Sequence, residues 1–273
     1  AELFERMPEF SGRVAFPDYD TDVLAIALLA LGYDINTENL DALLANPATR
    51  EILLTLTLAP ELPHALEAIR RLVSDGVIVS VGHSDATAAQ VRAAADAGAT
   101  MTTHLFNAQR PLGHRAPGAG GGVLADERFF LGTILDGQHV EPSVVGIVFA
   151  AAGGRTVGVT DAMVTAGLPA DVWHTFGGDA VANDEVGLGR RRDGTIAGAG
   201  IVLDEGVRRM IAAGLDPAAV LASCSEVAAR SLGRRDIGHL APSALADLVW
   251  WDASWQPRRV WMGGIERPTA ARA

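Results

Sequence analysis

The sequence has little of two residue types that mark whole classes of protein. Its single cysteine, Cys224, excludes an internal disulfide and fits a reducing cytoplasm, so we predict a small buried thiol on a helix. Basic residues are outnumbered, with 22 Lys and Arg against 33 Asp and Glu, and the formal charge of −11 has the wrong sign for a general nucleic-acid binder. An anionic substrate would therefore need cations that are placed locally.

Long apolar runs are also missing. The longest, Leu24–Leu31, is far shorter than the ~20 residues that a membrane-spanning helix needs. Residues Ala1–Met7 lack the basic start and apolar middle of a signal peptide, so we expect a cytoplasmic protein with no membrane partner. What the chain does have is 49% hydrophobic residues over 273 positions, which suits one barrel-sized domain with a large core.

Predicted strands and helices alternate regularly from Ile52 onward. The predicted core strands are Leu53–Leu58, Val77–Val81, Ala99–Thr102, Phe130–Leu135 and Thr156–Val159, and a helix is predicted from about Pro142 to Ala152. This alternation predicts an α/β fold with a parallel sheet and right-handed crossovers. The period breaks after His104 into a long Gly- and Pro-rich loop, 107–122, and loops of that length inside a compact domain are usually functional.

The remaining segments give the predicted domain organisation. We expect an atypical N-terminal segment at 1–50, a hydrolase barrel at 51–240 and part of a small β-unit at 241–273. The predicted elements of the second half are hairpins over Phe176–Ile196, helices at Val202–Ala213 and Ala218–Leu232, and strands at Asp247–Trp251 and Arg258–Met262.

Polar residues cluster where predicted strands end. Four fragments have this position: GHSDAT (82–87), THLFNA (103–108), DGQH (136–139) and VTDAM (159–163). Ends of neighbouring parallel strands lie ~4.8 Å apart, and active sites of barrels collect at that edge. His83 and His104 are separated by one strand–helix repeat, so we predict that their imidazoles share a metal ion, as histidine ligands of a catalytic zinc do.

The residue types on this edge suit metal-assisted cleavage of an amide. A bound divalent ion lowers the pKa of a water toward about 7 and polarises a carbonyl. Asp161 is the candidate general base and acid, and His139 is placed to hydrogen-bond the oxyanion. Arg115, with Asn107 and the backbone of Ala108, would hold an anionic group, because the arginine fork binds two phosphate oxygens at once.

These fragments, with PLGHRAPG (111–118) after THLFNA, resemble the N-acetylglucosamine-6-phosphate deacetylases of the amidohydrolase superfamily. The resemblance runs from about Thr55 to about Asp252. It implies a (β/α)8 TIM barrel of amidohydrolase type, hydrolysis of the acetamide of N-acetylglucosamine 6-phosphate, and a homodimer. It also implies that the histidines at 83 and 104 bind metal, that the aspartate at 161 is the acid and base, and that the residues at 107, 108, 115 and 139 bind the sugar phosphate.

The chain departs from that family at its start. The Pro-Gly-Phe-Ile-Asp opening strand and the His-Leu-Glu-Gly-Pro-Phe segment, whose Glu is a metal ligand, have no counterpart here, so we expect a barrel that is incomplete or remodelled at the N-terminus. Glu61, at the end of the first predicted strand, is our candidate for the third ligand. Zn²⁺ is the expected ion, with Fe²⁺ or another divalent metal as alternatives.

Two other interpretations remain open. One is an inactive or truncated homologue that binds sugar phosphates. The other is a serine hydrolase, because Gly82–Ala86 is one residue from a Gly-x-Ser-x-Gly elbow with Ser84 as nucleophile, and Asp161 and then His174 or His239 follow in triad order. The serine-hydrolase interpretation leaves four polar residues without a role: His104, Asn107, Arg115 and His139.

Overall fold

A computed structural model describes residues 54–176 and 178–268 of the chain. The atypical segment predicted at 1–50 lies outside the described residues. The chain divides into two compact units: the first runs to Phe129 and includes Thr175–Ala180, and the second holds Phe130–His174 and the chain from Val181 on.

The first unit is built by strands that alternate with helices. Its elements are β1 (Thr55–Leu58), α1 (Ala65–Ser74), β2 (Ile78–Val81), α2 (Ala88–Asp96), β3 (Met101–Thr102) and α3 (Gly118–Ala125). β1 pairs in parallel with β2, and β2 pairs in parallel with β3 through Ser80 and Met101. Each crossover therefore passes through a helix, as the alternation predicts, and the C-terminal ends of the three strands lie at one edge.

Helix starts are fixed locally in this unit. The Thr87 side chain accepts a hydrogen bond from Gln90 N, and the Gln90 side chain accepts one from Thr87 N, which forms a reciprocal capping box for α2. Helix α1 presents Ile69 and Leu72, both almost fully buried, to the core. The cap leaves only five residues, 82–86, between the end of β2 and Thr87, so the backbone of the GHSDAT segment has little freedom.

The predicted loop 107–122 was wrong in its second half, where α3 forms. A Cβ atom at Gly120 would lie 2.9 Å from Phe106 Cδ1, and one at Gly122 would lie 3.0 Å from Ala88 Cα. Glycine is used at these positions because α3 packs closely on Phe106 and on α2, where any larger side chain would collide. The glycine content that predicts a loop in this half of the segment thus reflects close helix packing.

The second unit begins with the same alternation. Its first elements are β4 (Phe130–Ile134), α4 (Pro142–Ala152) and β5 (Thr156–Val159), and β4 pairs in parallel with β5 from Leu131 and Thr156 to Ile134 and Val159. Helix α4 starts with Pro142 in its first turn and ends at Gly153, which has a left-handed φ of 56°. Its predicted bounds are confirmed.

The rest of the chain forms antiparallel strands and three short helices. The elements are β6 (His174–Phe176), β7 (Asp179–Asn183), β8 (Leu188–Arg191), β9 (Ile196–Ala199), α5 (Leu203–Ala212), α6 (Pro217–Ser223), α7 (Glu226–Ser231), β10 (Leu248–Trp251), β11 (Pro257–Met262) and β12 (Ile265–Arg267). β7 to β9 pair antiparallel, as do β10 to β12. The hairpins and the small β-unit are where the sequence predicts them, with β12 as an additional strand.

The single helix predicted at Ala218–Leu232 was wrong, because it is two helices. The chain leaves helical geometry at Ser225, which has φ −134° and ψ −88°. Ser223 Oγ donates to Val220 O at 2.6 Å and Ser225 Oγ donates to Leu221 O at 2.7 Å. Serine side chains that bond nearby carbonyls in this way compete with the helical ladder. Of the helices in the described ranges, none is long and apolar enough to cross a membrane.

Candidate metal centre

Two histidines come together at the ends of β2 and β3. His83 Nε2 lies 2.9 Å from His104 Nε2, and the rings meet edge to face with their centroids 4.7 Å apart. His104 is buried, whereas His83 is exposed. Both residues have a left-handed backbone, with φ 47° at His83 and 26° at His104. The chain therefore turns sharply after each strand and aims both Nε2 atoms at one point.

The chemistry of this pair fits a divalent cation. A neutral imidazole has one N–H donor and one lone pair, so two Nε2 atoms that face each other can both act as ligands. Ligands at ~2.0–2.1 Å from a tetrahedral zinc are about 3.3 Å apart, close to the spacing seen here. His104 Nδ1 would then carry the proton, and it is buried without a hydrogen-bond partner among the described residues. The two histidines can thus supply two of the ligands of a metal ion.

A third ligand does not join them in the described ranges. Among residues 54–176 and 178–268, no three His, Cys, Asp or Glu side chains gather in a set that could hold a metal ion. Glu61 instead accepts a hydrogen bond from Ser84 Oγ at 2.7 Å with one carboxylate oxygen and from Asp85 N at 2.6 Å with the other. Glu61 as a ligand stays a prediction, and its carboxylate here fixes the segment that carries His83.

Further hydrogen bonds hold the same segment from the side of His104. Ser84 N donates to Ala108 O at 2.9 Å, and Arg110 N donates to Ser84 O at 3.0 Å. The Arg110 guanidinium also binds both carboxylate oxygens of Asp85, at 2.8 and 2.6 Å, and the pKa of Asp85 lies below its ordinary value chiefly because of this bond. Hydrogen bonds of the two following residues therefore enforce the left-handed turn at His83.

The segment around His104 is held by hydrogen bonds from its own side chains to its own backbone. Asn107 Nδ2 donates to the carbonyls of His104 and Leu105, both at 3.3 Å. Gln109 Nε2 donates to Thr103 O at 2.9 Å. The predicted substrate-binding residue Asn107 thus supports the turn of a ligand candidate, while Arg115 is exposed to solvent.

The second unit has its own polar cluster, made of Asp136, His139 and Asp161. His139 Nδ1 lies 2.6 Å from Asp136 Oδ2, and His139 Nε2 lies 3.8 Å from Asp161 Oδ2. The Asp136 and His139 side chains are almost fully buried, at 1% and 4% exposure, and the Asp161 side chain is 17% exposed. Asp161 has a left-handed φ of 53°, and its carbonyl accepts from Ala199 N at 2.6 Å.

Asp136 is ionised in this cluster. Burial raises the pKa of its carboxyl, but the hydrogen bond from His139 and the backbone N–H groups of Gln138 and His139 outweigh burial and hold the pKa below its ordinary value. A carboxylate in that state is an acceptor only.

The observed roles of three residues that build these clusters were not predicted from the sequence. Asp136 and Gln109 were not assigned a role, and Ser84 was considered only as a nucleophile. For Asp136 a signal was present, because an aspartate three residues before a histidine at a strand end can reach that ring in a tight turn. For Gln109 no such signal existed, since its partners are mostly backbone atoms of a turn.

Comparison with known proteins gives several matches. A model of the amidohydrolase family matches residues 57–269. The N-acetylgalactosamine-6-phosphate deacetylase of Escherichia coli O157:H7 is 37% identical over 233 residues, which cover 85% of this chain and 61% of that protein. The chain therefore spans about three fifths of the length of this curated relative.

Solved structures agree with the sequence matches. A mutant N-acetyl-D-glucosamine-6-phosphate deacetylase from Mycobacterium smegmatis, in complex with N-acetyl-D-glucosamine-6-phosphate, has a TM-score of 0.75 and 35% identity over 80% of this chain and 58% of that chain. The N-acetylglucosamine-6-phosphate deacetylase from Pasteurella multocida has a TM-score of 0.83 over 98% of this chain and 71% of that chain, at 24% identity, which shows the fold alone. The predicted α/β fold and the predicted resemblance are confirmed.

Proposed function

This chain belongs to the amidohydrolase family, and from that premise we propose that it hydrolyses the acetamide of N-acetylglucosamine 6-phosphate, giving acetate and glucosamine 6-phosphate. The observation that carries the proposal is the 2.9 Å approach of His83 Nε2 to His104 Nε2 at the ends of adjacent parallel strands. The named relatives, all deacetylases of N-acetylhexosamine 6-phosphates, support the substrate class.

Amidohydrolases are typically metal-dependent, and we assign His83 and His104 as two ligands of one divalent ion. Glu61 is the proposed third ligand from this chain, which requires one of its oxygens to exchange a hydrogen-bond donor for the ion. Zn²⁺ suits imidazole ligands well, and Fe²⁺ is the second choice. When bound, such an ion polarises the amide carbonyl and makes water a better nucleophile at neutral pH.

The remaining roles follow from the chemistry of each side chain. Asp161, as a carboxylate, takes a proton from the attacking water and returns it to the departing amine. His139 hydrogen-bonds the oxyanion through Nε2 as the tetrahedral intermediate forms. Arg115, Asn107 and the backbone of Ala108 hold the phosphate. Because the chain carries a net charge of −11, a phosphate needs a cation placed locally, and the exposed Arg115 guanidinium supplies it.

The experiment that tests the proposal is a coupled measurement of acetate release by the metal-loaded protein. N-acetylglucosamine 6-phosphate, its galacto epimer and the unphosphorylated sugar are compared, because the relatives include deacetylases of both epimers. We expect turnover of phosphorylated sugars with kcat/KM at least about tenfold above the neutral sugar, the effect of one charged phosphate contact. No acetate release with any of the sugars after loading with Zn²⁺ or Fe²⁺ would overturn the proposal.

A second candidate function is binding of sugar phosphates without catalysis. It is favoured by one observation, the lack of a three-membered ligand set among the described residues. Calorimetry that detects binding of the substrate, together with no metal retention and no acetate release, would select this alternative.

We also propose a cytoplasmic homodimer, on the strength of the family resemblance and of the single cysteine. Light scattering of the purified chain tests the oligomeric state, and a monomer at micromolar concentration would contradict it.

A further inference from the structure

Asp136 has no role in the proposed reaction, yet its carboxylate is fully engaged. One oxygen, Oδ1, accepts the backbone N–H groups of Gln138 and His139, both at 2.9 Å, and the other, Oδ2, lies 2.6 Å from His139 Nδ1. We infer that Asp136 is a positioning residue that fixes His139 as the Nδ1–H tautomer, so that the bare Nε2 atom of His139 faces Asp161.

The assignment follows from donors and acceptors. An ionised carboxylate offers lone pairs only, so the proton in the 2.6 Å contact belongs to His139 Nδ1. A neutral imidazole has one proton, and Nε2 is then a lone pair. Hydrogen bonds of this kind, from the remote nitrogen of a functional histidine to a carboxylate, set which ring nitrogen does the chemistry.

Asp136 is itself held rigidly enough to do this. Its carbonyl accepts a hydrogen bond from Arg209 Nη1 at 3.0 Å, and Gly137 next to it turns the chain with a left-handed φ of 69°. A side chain that is anchored through its backbone and through two N–H groups cannot follow the ring if the ring rotates. The orientation of His139 is thus set by Asp136.

The inference deepens the proposed function, on which its catalytic part rests. His139 Nε2 and Asp161 Oδ2 are both acceptors, and their separation of 3.8 Å is too long for a direct hydrogen bond. Two acceptors that face each other suit a donor between or beside them, such as the N–H of the acetamide or a hydroxyl of the sugar. His139 therefore accepts from the substrate while neutral, and it donates to the oxyanion only as the imidazolium, a charged form that the Asp136 carboxylate stabilises.

The test exchanges Asp136 for asparagine, which is close in shape. In Asp136→Asn the amide oxygen keeps the two backbone N–H groups, so the NH₂ group takes the place of Oδ2 and donates to His139 Nδ1. The proton of His139 must then move to Nε2. Long-range ¹H–¹⁵N spectra of histidine-labelled protein report this directly, with His139→Gln used to assign the ring.

At about pH 8 we expect protonated Nδ1 and bare Nε2 in the wild type, and the reverse in Asp136→Asn. We expect kcat to fall by up to about 10⁴, with a smaller change in KM, because the neutral amide no longer stabilises the imidazolium that donates to the oxyanion. Asp184→Asn is the matched control, because Asp184 also accepts two backbone N–H groups and one side-chain donor but touches no histidine, so His139 spectra and kcat should stay unchanged.

The wild-type spectrum alone can overturn the inference, whether or not the variant folds. Nε2–H on His139 at about pH 8 would do so, as would a kcat of Asp136→Asn within about twofold of wild type. Absence of deacetylase activity in the wild type would instead remove the proposed function, and the tautomer measurement would still decide the role of Asp136.

Discussion

His83 and His104 face each other through their Nε2 atoms at 2.9 Å, and both hold a left-handed backbone conformation. For residues other than glycine, such a conformation costs on the order of 1–3 kcal/mol each and persists only where the surroundings enforce it. Here the bond from Ser84 N to Ala108 O couples the two turns. The fold thus stores strain at the two residues that we assign as metal ligands.

The first prediction concerns metal content. We expect about one divalent ion per chain, and at most about two, in the wild type, and a large loss in His104→Ala, because the buried ligand is removed. Elemental analysis of purified protein measures this. His239→Ala is the control, since His239 is exposed and its Nδ1 lies 3.1 Å from a backbone carbonyl. Equal metal content in wild type and His104→Ala would contradict the assignment.

The second prediction tests Asp161 as acid and base. Asp161→Asn should lower kcat by roughly 10²–10⁴ with little change in folding, because asparagine tolerates the left-handed φ of 53°. Steady-state kinetics measures the loss. Asp171→Asn is matched to it in backbone, with φ 59°, and is exposed, so its kcat should equal that of the wild type. Equal losses in the two variants would argue against a special role for Asp161.

The third prediction separates metal from serine chemistry. Ser84 Oγ donates to the Glu61 carboxylate, so Ser84→Ala should destabilise the fold by about 1–3 kcal/mol while most of kcat survives. Denaturant unfolding and kinetics give the two numbers. Ser74→Ala, at an exposed serine that bonds only within its helix, should change stability by less than about 0.5 kcal/mol.

Inhibitors complete that test. A chelator should abolish acetate release, and a serine-directed phosphonate should leave it intact. The opposite pattern, with complete loss of kcat in Ser84→Ala, would favour the nucleophile elbow.

The fourth prediction is a pH dependence from Cys224. Burial raises the pKa of its thiol to about 11, and a Cβ at Gly158 would touch its sulfur at 2.6 Å. The unfolded thiol titrates near 8.5, so the unfolded state loses its proton first and stability falls as pH rises from about 8.5 to about 11. The slope is at most about 1.4 kcal/mol per pH unit for this group.

Urea unfolding at several pH values measures this effect, and Cys224→Ala should lack it. The sequence contains no lysine, so few other groups titrate in that range. Rapid reaction of the native thiol with a disulfide reagent at pH 8 would contradict a raised pKa.

The fifth prediction concerns the glycines of α3. Gly120→Ala should destabilise the protein by about 1–3 kcal/mol, because the new methyl group would lie 2.9 Å from the Phe106 ring. Gly146→Ala lies inside α4 and meets nothing within 4 Å, so it should be stabilising by about 0.5–1 kcal/mol. Thermal unfolding of both variants measures the contrast, and the same sign for both would contradict close packing of α3.

The parallel core was predicted well because the ends of its helices and strands are marked by nearby proline and glycine residues. Thr156–Val159 and Pro142–Ala152 were predicted with their observed bounds, since a helix that opens with proline and closes with glycine is encoded within a few residues. The pairing of His83 with His104 could also be predicted, because adjacent strand ends in a parallel sheet are neighbours whatever the details.

What could not be predicted depends on partners far away in the sequence. The glycines of α3 are selected by Phe106 and by α2, and no local rule separates that requirement from loop flexibility. The break at Ser225 depends on a choice between side-chain and main-chain donors that differ little in energy. The spacing of Asp136 and His139 indicates that the two can touch, but the inferred tautomer of His139 also depends on Asp136 Oδ1 being occupied by two backbone N–H groups.

The two imidazoles that we propose as metal ligands differ in exposure, so His83 is the outer ring and His104 the inner ring. A divalent ion held by both rings, as we propose, would be reached from solvent on the side of His83, because His83 is exposed and His104 is buried. Carbethoxylation should accordingly modify the outer ring quickly and the inner ring slowly.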